Sequence, residues 1–132
     1  MADNQTPVSE FKSQSGWRRL FAACRYSADG LRAAWKNEHA FRQELGVVLP
    51  GSILALVLPL PALHKLLLIA VLVVLLIVEL LNSAIEAAVD RISLERHPLS
   101  KTAKDFGSAA VMLSLVLALA TWAVILLPLL GF

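Results

Sequence analysis

The sequence is poor in the residues and motifs that define several large protein classes. Its 132 residues contain one cysteine, Cys24, which excludes an intramolecular disulfide and leaves no second thiolate for a metal site. It has no glycine-rich loop of the P-loop, protein-kinase or dinucleotide-binding type. It also has no early apolar core, so no cleavable signal peptide is predicted. Any nucleotide must therefore be held in another way.

Charged residues are scarce in three long apolar stretches, which place the chain among membrane proteins. Hydrophobic residues make up 58% of the chain, and its mean hydropathy of +0.70 is too high for an ordinary soluble domain. The stretches are Leu45 to Leu63, Leu66 to Val89 and Phe106 to Phe132. Each approaches or exceeds the roughly 20 residues that a helix needs to cross the hydrocarbon. Prolines interrupt the first stretch, so we expect a kink or an early end there.

The N-terminal part has a different pattern. Apolar residues recur at helical spacing from Trp17 to Trp35, and basic residues lie largely on the other side, which predicts an interfacial helix with a possible break or bend at Gly30. The predicted fold class is an all-α membrane protein of one domain. Its expected parts are a disordered tail at 1–10, the interfacial helix at 11–36, and transmembrane helices at about 40–61, 65–91 and 105–129.

The distribution of lysine and arginine predicts the orientation. The first 44 residues hold seven of them and the segment 91–104 holds four, whereas the connector near Pro61 holds only Lys65. Because basic loops stay in the cytoplasm, we expect a cytoplasmic N-terminus and a C-terminus on the opposite side.

A polar stripe follows the second apolar stretch. At about 100° per residue, its members fall on one side of a helix. They are Glu79, Asn82, Ser83, Glu86 and Asp90. Carboxylates within a membrane helix are costly unless they have partners or a function. A helix-packing hydrogen bond is the alternative for a single residue, but a stripe of this size favours a functional site.

Further charged residues are expected at the same boundary of the membrane. Glu38 should lie at a depth similar to that of Glu86, and two such carboxylates could hold Mg²⁺ together with phosphate and water oxygens. Lys104 and Asp105 begin the third span, although a single boundary lysine usually only anchors a helix. Ser100 or Thr102 is expected to cap that helix. The three histidines share no metal-site spacing.

The motifs E-L-L-N-S-A-I-E-A-A-V-D-R (79–91) and A-K-D-F-G-S-A-A-V (103–111) strongly resemble those of the bacterial integral-membrane diacylglycerol kinase family. The similarity extends upstream through R-x-x-x-A-x-x-Y-x-x-x-G-L-R-A-A-W and N-E-x-A-F-R-Q-E, and it covers about 19 to 122. The resemblance implies a homotrimer in the bacterial inner membrane, with a periplasmic C-terminus and active sites shared between subunits. It implies transfer of the γ-phosphate of MgATP to diacylglycerol, giving phosphatidic acid, and no nucleic-acid partner.

The resemblance also implies roles for individual residues. Glu79 matches the general base, Asn82 matches its polar partner one turn away, and Glu38 and Glu86 match the carboxylates that hold Mg²⁺. The implied ATP contacts are Arg19, Tyr26, Glu38, Glu86, Glu95, Arg96, His97, Lys104 and Asp105. The implied lipid contacts are Arg19, Ala23, Tyr26, Arg32, Trp35, Phe41, Arg42, Glu44, Glu79, Ser108 and Trp122. Asp90 is expected to be a structural acid.

Two alternatives remain open at this point. An undecaprenol kinase would use the same scaffold and the same polar stripe on a different membrane alcohol. A small non-enzymatic transporter or channel subunit would use intramembrane glutamates to bind protons or cations. The second alternative explains Glu79 and Glu86 but gives no reason for Glu38, Lys104 and Asp105 to gather at one depth.

Overall fold

The computed structural model describes residues 16–131. In chain order they form helices α1 (Gly16–Asn37), α2 (His39–Val57), α3 (Ala62–Ile92) and α4 (Pro98–Leu126), followed by a 3₁₀ turn (Leu127–Leu130). No strand occurs between residues 16 and 131. Three helical segments, α2, α3 and Pro98–Leu130, are long and apolar enough to cross a membrane. The predicted all-α membrane class is therefore confirmed, and the chain is a multi-pass membrane protein. The predicted tail at 1–10 and the start of the predicted interfacial helix lie outside the described residues.

Helix α1 packs least tightly against the rest of the chain. Ala34 is its only buried residue, whereas Trp17, Phe21 and Trp35 are exposed. The helix continues through Gly30, so the break considered from the sequence does not occur. Exposed aromatic side chains on a basic helix suit the headgroup region of a bilayer.

A single residue, Glu38, separates α1 from α2. Its backbone is extended, with φ −102° and ψ 110°. Its N–H nevertheless donates to the carbonyl of Ala34 over 2.9 Å, and its own carbonyl accepts from the N–H of Arg42 over 3.4 Å. The Arg42 guanidinium donates to the carbonyls of Trp35 (2.8 Å) and Lys36 (3.2 Å). These carbonyls lie in the last turn of α1, where intrahelical donors run out, so Arg42 ties that helix end to α2.

Four residues join α2 to α3 at the opposite end of the helices. Pro50 lies within α2, and the helix ends at Val57, two residues before Pro59. Proline restricts the residue before it to extended conformations, which accounts for the end of the helix at this point. The Lys65 ammonium of α3 then donates to the carbonyl of Leu56 over 2.7 Å. A cation at a helix C-terminus stabilises the free carbonyls there.

Helices α3 and α4 pack antiparallel along most of their length. The Lys104 ammonium lies 2.6 Å from Asp90 Oδ1, and the Trp122 indole N–H donates to the carbonyl of Leu68 over 3.2 Å. Residues later in α4 thus meet residues earlier in α3. This pairing brings the start of α4 beside the end of α3, where the polar stripe lies.

The cap of α4 differs from the one predicted. The helix begins at Pro98, and Nδ1 of His97 accepts a hydrogen bond from the N–H of Leu99 over 3.2 Å. Ser100 and Thr102 lie inside the helix, and the Thr102 hydroxyl donates to the carbonyl of Pro98 over 3.0 Å. The prediction of a cap at Ser100 or Thr102 was wrong, because proline at the first helical position lets the helix start earlier.

The buried core of the single chain is small and apolar. Leu68, Leu72 and Leu75 of α3 pack with Val48 and Ala55 of α2, and all five are buried. Most other large apolar side chains on the three long helices are exposed. Such surfaces suit lipid or neighbouring helices rather than water.

Candidate active site

The polar stripe of α3 passes from a buried to an exposed environment along the helix. Glu79 is only 5% exposed, whereas Asn82, Ser83 and Glu86 are half-buried and Asp90 is exposed. Helix α3 has 31 residues, and at 1.5 Å per residue it is about 46 Å long, which exceeds the roughly 30 Å of the hydrocarbon layer. The stripe therefore begins within the apolar part of the helix and ends in its polar final turns.

Asn82 and Glu86 form a hydrogen bond along the stripe. Asn82 Nδ2 donates to Glu86 Oε1 over 3.3 Å. The reverse orientation of the amide would place an oxygen against a carboxylate oxygen, so this assignment follows from charge. Asn82 Oδ1 is buried and has no hydrogen-bond partner among the described residues. A buried polar atom without a partner is costly in a fold and common at sites of function.

Two glutamates outside α3, Glu38 and Glu44, lie close to Glu79. Glu38, together with Glu86 of α3 itself, is near enough to repel the Glu79 carboxylate. Glu44 of α2 interacts with Glu79 in the same way, and its Oε2 is buried without a hydrogen-bond partner among residues 16–131. The antiparallel packing of α2 and α3 brings these carboxylates to one level. The expected proximity of Glu38 to the stripe is therefore present in the chain.

The four glutamates have little counter-charge from the chain itself. None of the ion pairs formed between residues 16 and 131 includes Glu38, Glu44, Glu79 or Glu86. Lys104 attracts Glu86, but its closest partner is Asp90. This accumulation of carboxylate oxygens favours a bound cation.

The carboxylates do not form a complete metal site by themselves. Within the described part of the chain, no three histidine, cysteine, aspartate or glutamate side chains are grouped so that they could hold a metal ion. Mg²⁺ commonly uses one or two protein carboxylates and takes its remaining ligands from phosphate and water. Glu38 and Glu86 fit that partial set of hard oxygen ligands.

A cavity of about 620 Å³, the α3–α4 cavity, lies beside the stripe. It is bounded by the end of α3, the connection 93–97 and the start of α4. Five of the predicted ATP contacts line it: Glu95, Arg96, His97, Lys104 and Asp105. Asp90 and Lys101 also line it, and Lys101 forms an ion pair with Asp105. The lining thus combines three cations, Arg96, Lys101 and Lys104, with the three carboxylates Asp90, Glu95 and Asp105.

An apolar groove of about 580 Å³, the α1–α3 groove, lies between α1, α2 and α3. Three predicted lipid contacts line it, namely Arg32, Trp35 and Phe41. The remaining lining is aliphatic: Leu31, Leu45, Val73, Leu76, Ile77 and Leu80. Arg32 is the cation of this lining, and it also pairs with Asp29 over 3.2 Å. The groove can accept an acyl chain and contact a polar headgroup at the arginine.

The remaining predicted residues lie elsewhere. Neither the α3–α4 cavity nor the α1–α3 groove is lined by Arg19, Ala23, Tyr26, Arg42, Ser108 or Trp122. Arg42 instead binds the end of α1, and Trp122 is half-buried in contact with α3. Sequence reasoning also missed a residue, Gly107, which lies directly against Asn82. The i, i+4 spacing of Lys101 and Asp105 is a local signal from which their ion pair was predictable. No local sequence signal points to the contact of Gly107 with Asn82.

An all-helical membrane protein that gathers glutamates around the buried Glu79, with a cavity of mixed charge at the end of the same helix, has features suited to a membrane-embedded enzyme. The family model of prokaryotic diacylglycerol kinase matches residues 25–126. The chain belongs to the prokaryotic diacylglycerol kinase family, so it is an enzyme of the kinase class. The family resemblance noted from the sequence motifs is thereby confirmed.

Individual relatives agree with this assignment. The diacylglycerol kinase of Escherichia coli strain K12 is 50% identical over 112 residues, which cover 85% of this chain and 92% of that protein. The diacylglycerol kinase of Pseudomonas aeruginosa is 52% identical over 122 residues, covering 90% and 97%. The diacylglycerol kinase of Helicobacter pylori strain 26695 is 42% identical over 129 residues, covering 98% of each chain.

Proposed function

We propose that this protein transfers the γ-phosphate of ATP to the free hydroxyl of diacylglycerol, giving phosphatidic acid and ADP. The observation that carries the proposal is the buried Glu79, with Asn82 and Glu86 on the next turns of α3 and the α3–α4 cavity, which Lys104 and Arg96 line, at the end of the same helix. The names of the relatives supply the acceptor. Phosphoryl transfer needs mainly positioning and charge stabilisation, which this arrangement can provide.

Glu79 is the proposed general base. It accepts the proton of the acceptor hydroxyl as that oxygen bonds to the γ-phosphorus, while the bond from phosphorus to the β–γ bridging oxygen breaks and ADP leaves. A carboxylate is suited to this step when it is shielded from water and within hydrogen-bond reach of the hydroxyl. Its burial at 5% exposure within the membrane part of α3 supports the role, because the acceptor is a lipid. Asn82, one turn further, holds Glu86 in place through its Nδ2.

Glu38 and Glu86 are the proposed ligands of Mg²⁺. When bound, the ion would neutralise negative charge on the phosphates of ATP. Both carboxylates repel Glu79 and lack a basic ion-pair partner within residues 16–131, which supports a cation at this place. Their separate positions, at the α1–α2 corner and in α3, leave the other ligand positions to phosphate and water oxygens.

The α3–α4 cavity is the proposed site of the nucleotide. Lys104 and Arg96 can neutralise phosphate oxygens, and Glu95, His97 and Asp105 offer further polar contacts. Arg19 and Tyr26 on α1 remain proposed contacts on the strength of the family resemblance. Lys104 binds Asp90 over 2.6 Å, so its ammonium is already held at the cavity wall.

The α1–α3 groove is the proposed site of the lipid. Arg32, Trp35 and Phe41 line it, and Ala23, Arg42, Glu44, Ser108 and Trp122 are kept as proposed contacts from the resemblance. An aliphatic groove open to the membrane can take an acyl chain without drawing the lipid into water. The acceptor hydroxyl would then reach Glu79 near the headgroup level.

The assembly and placement of the protein are also part of the proposal. We propose a homotrimer with active sites shared between subunits, in the bacterial inner membrane, with the N-terminus cytoplasmic and the C-terminus periplasmic. The exposed apolar surfaces of α3 and α4 are suited to subunit contacts as well as to lipid. The basic segments before the first span and after the second, against a single lysine between them, support the orientation.

The decisive experiment supplies purified protein in lipid bilayers with MgATP and either diacylglycerol or undecaprenol. We expect phosphatidic acid and ADP in equal amounts from the first mixture. Phosphorylation of undecaprenol alone would replace the acceptor and keep the kinase mechanism. Absence of both products from folded protein would contradict the proposed reaction and favour the non-enzymatic alternative.

A further inference from the structure

Gly107 is the residue of α4 that lies against the polar stripe. It is buried, and it shares one face of α4 with the buried residues Ser114 and Ala118. A Cβ added at Gly107 would overlap Asn82 Oδ1 and lie 3.3 Å from Asn82 Cγ. No other described glycine faces a side chain of the polar stripe.

The overlap involves the side chain of Asn82 and not the helix backbones. The nearest backbone atom to the added Cβ is Asn82 Cα at 3.7 Å, which is an ordinary van der Waals distance. Alanine at position 107 would therefore fit between the two helices if Asn82 were short. With Asn82 present, either its amide or one of the helices must shift.

The same contact determines where the Asn82 amide points. Its Oδ1 lies toward Gly107, and its Nδ2 consequently reaches Glu86 Oε1. Displacing Oδ1 rotates the amide about its side-chain torsions and moves Nδ2 away from Glu86. The open space at Gly107 thus keeps Glu86 hydrogen-bonded one turn from Glu79.

We propose that Gly107 is a positioning residue of the kinase site, whose lack of a side chain lets Asn82 lie between α3 and α4 and orient the Glu86 carboxylate. The inference rests on the proposed function for its effect on activity, and its structural part stands independently. Outer groups that orient a metal-binding carboxylate commonly affect metal affinity about ten- to a hundredfold.

The first test compares three glycine-to-alanine variants in lipid with varied MgATP. Gly107→Ala should lower kcat/KM for MgATP about ten- to a hundredfold and raise the Mg²⁺ concentration needed for half-maximal rate. Gly46→Ala is the matched control, because a Cβ there meets nothing within 4 Å. Gly51→Ala is the packing control, because a Cβ there meets Leu72 Cδ1 at 3.0 Å and the Trp122 ring at 3.6 Å, away from Asn82 and Glu86.

The outcomes separate positioning from packing. A changed Mg²⁺ dependence in Gly107→Ala alone supports the proposal. The same change in Gly51→Ala, or an unchanged dependence in all three variants, would overturn it, because either result would mean that Gly107 has no specific relation to the site.

The second test is a double-mutant cycle on unfolding in detergent, which needs no activity. Gly107→Ala should destabilise the protein that carries Asn82 and should be nearly neutral in the Asn82→Ala background, where the overlap is absent. Equal destabilisation in both backgrounds would contradict the contact. If the wild-type protein phosphorylates no lipid, the proposed function fails while this cycle still decides whether Gly107 and Asn82 are coupled.

Discussion

Polar side chains in two regions of the membrane part of the protein differ in whether they have hydrogen-bond partners. In the region far from the site, the side chains of Lys65 and Thr121 each donate to a backbone carbonyl, over 2.7 and 2.8 Å respectively. In the site region, Glu44 Oε2 and Asn82 Oδ1 are buried without a hydrogen-bond partner among the described residues. Polar groups are costly in a low-dielectric interior unless they are paired. The paired groups therefore stabilise the fold, whereas the unpaired ones occur at the candidate site.

The two regions also differ in how well their charged side chains are stabilised by neighbouring groups. The far region has Lys65 at a helix C-terminus, where a cation is favourable. The site region gathers Glu38, Glu44 and Glu86 around Glu79, whose carboxylate each of them repels. Repulsion of this kind is tolerated when a cation or a proton is part of the working state. Substitutions in the two regions should consequently differ in what they change.

The largest effect is expected from Glu79→Gln. It removes the proposed base while keeping the shape, and turnover should fall about 10²- to 10⁴-fold. Binding of MgATP, measured by titration calorimetry, should be largely retained. Thr121→Val is the matched control from the far region, because its hydroxyl donates only to the carbonyl of Leu117 in the same helix. Normal turnover in Glu79→Gln would remove this residue from the base role.

The next effect concerns the ligand set. Asn82→Ala removes the donor to Glu86 Oε1, and Glu86→Gln removes a proposed Mg²⁺ ligand. Both should raise the Mg²⁺ concentration for half-maximal rate, by about ten- to a hundredfold for Asn82→Ala and by more for Glu86→Gln. Steady-state rates at varied Mg²⁺ and constant ATP provide the measurement. If Glu86→Gln keeps the wild-type Mg²⁺ dependence, its ligand role is excluded.

A smaller effect is expected from Lys104→Met. The ammonium is part of the α3–α4 cavity and lies 2.6 Å from Asp90 Oδ1. Loss of a charge-assisted contact to phosphate should raise the KM for ATP roughly tenfold or more. Asp90→Asn serves as the comparison, because it weakens the same ion pair and leaves the cation in place. Equal effects of the two substitutions would mean that the ion pair, and not a phosphate contact, is what matters.

The smallest effect on activity is expected from Lys65→Met in the far region. This substitution removes the donor to the carbonyl of Leu56. Hydrogen bonds within membrane proteins contribute about 0.6 kcal/mol on average, so the unfolding midpoint in detergent should fall slightly. The KM for ATP and the Mg²⁺ dependence should stay at their wild-type values. A shift in either constant would show that the two regions are coupled and would weaken the contrast drawn here.

Much of the architecture follows from the sequence alone. The apolar stretches, the amphipathic segment before them and the polar stripe are local patterns, and local patterns are sufficient to predict membrane helices and their faces. The side of α3 that carries Glu79 and Glu86 was predicted from spacing. Glu38 was predicted to lie at a depth similar to that of Glu86, and its carboxylate interacts electrostatically with Glu79.

Other features depend on contacts between helices and were not predictable in this way. The contact of Gly107 with Asn82 joins residues 25 positions apart, so it depends on the relative rotation and height of α3 and α4. The unpartnered oxygen of Glu44 likewise follows from how α2 packs on α3. The cap of α4 at His97 was missed because serine and threonine were preferred as caps, although Pro98 favours an earlier start.

The α1–α2 corner joins helix α1, with its exposed aromatic side chains, to the membrane-crossing helix α2. Glu38 is the one residue between α1 and α2, and helical hydrogen bonds hold both of its sides. Any change in the angle of α1 relative to α2 must therefore be absorbed by the backbone torsions of Glu38. Those torsions also aim its carboxylate. A change in the tilt of α1 at the lipid headgroups would therefore also change the direction of the Glu38 carboxylate, which lies near Glu79.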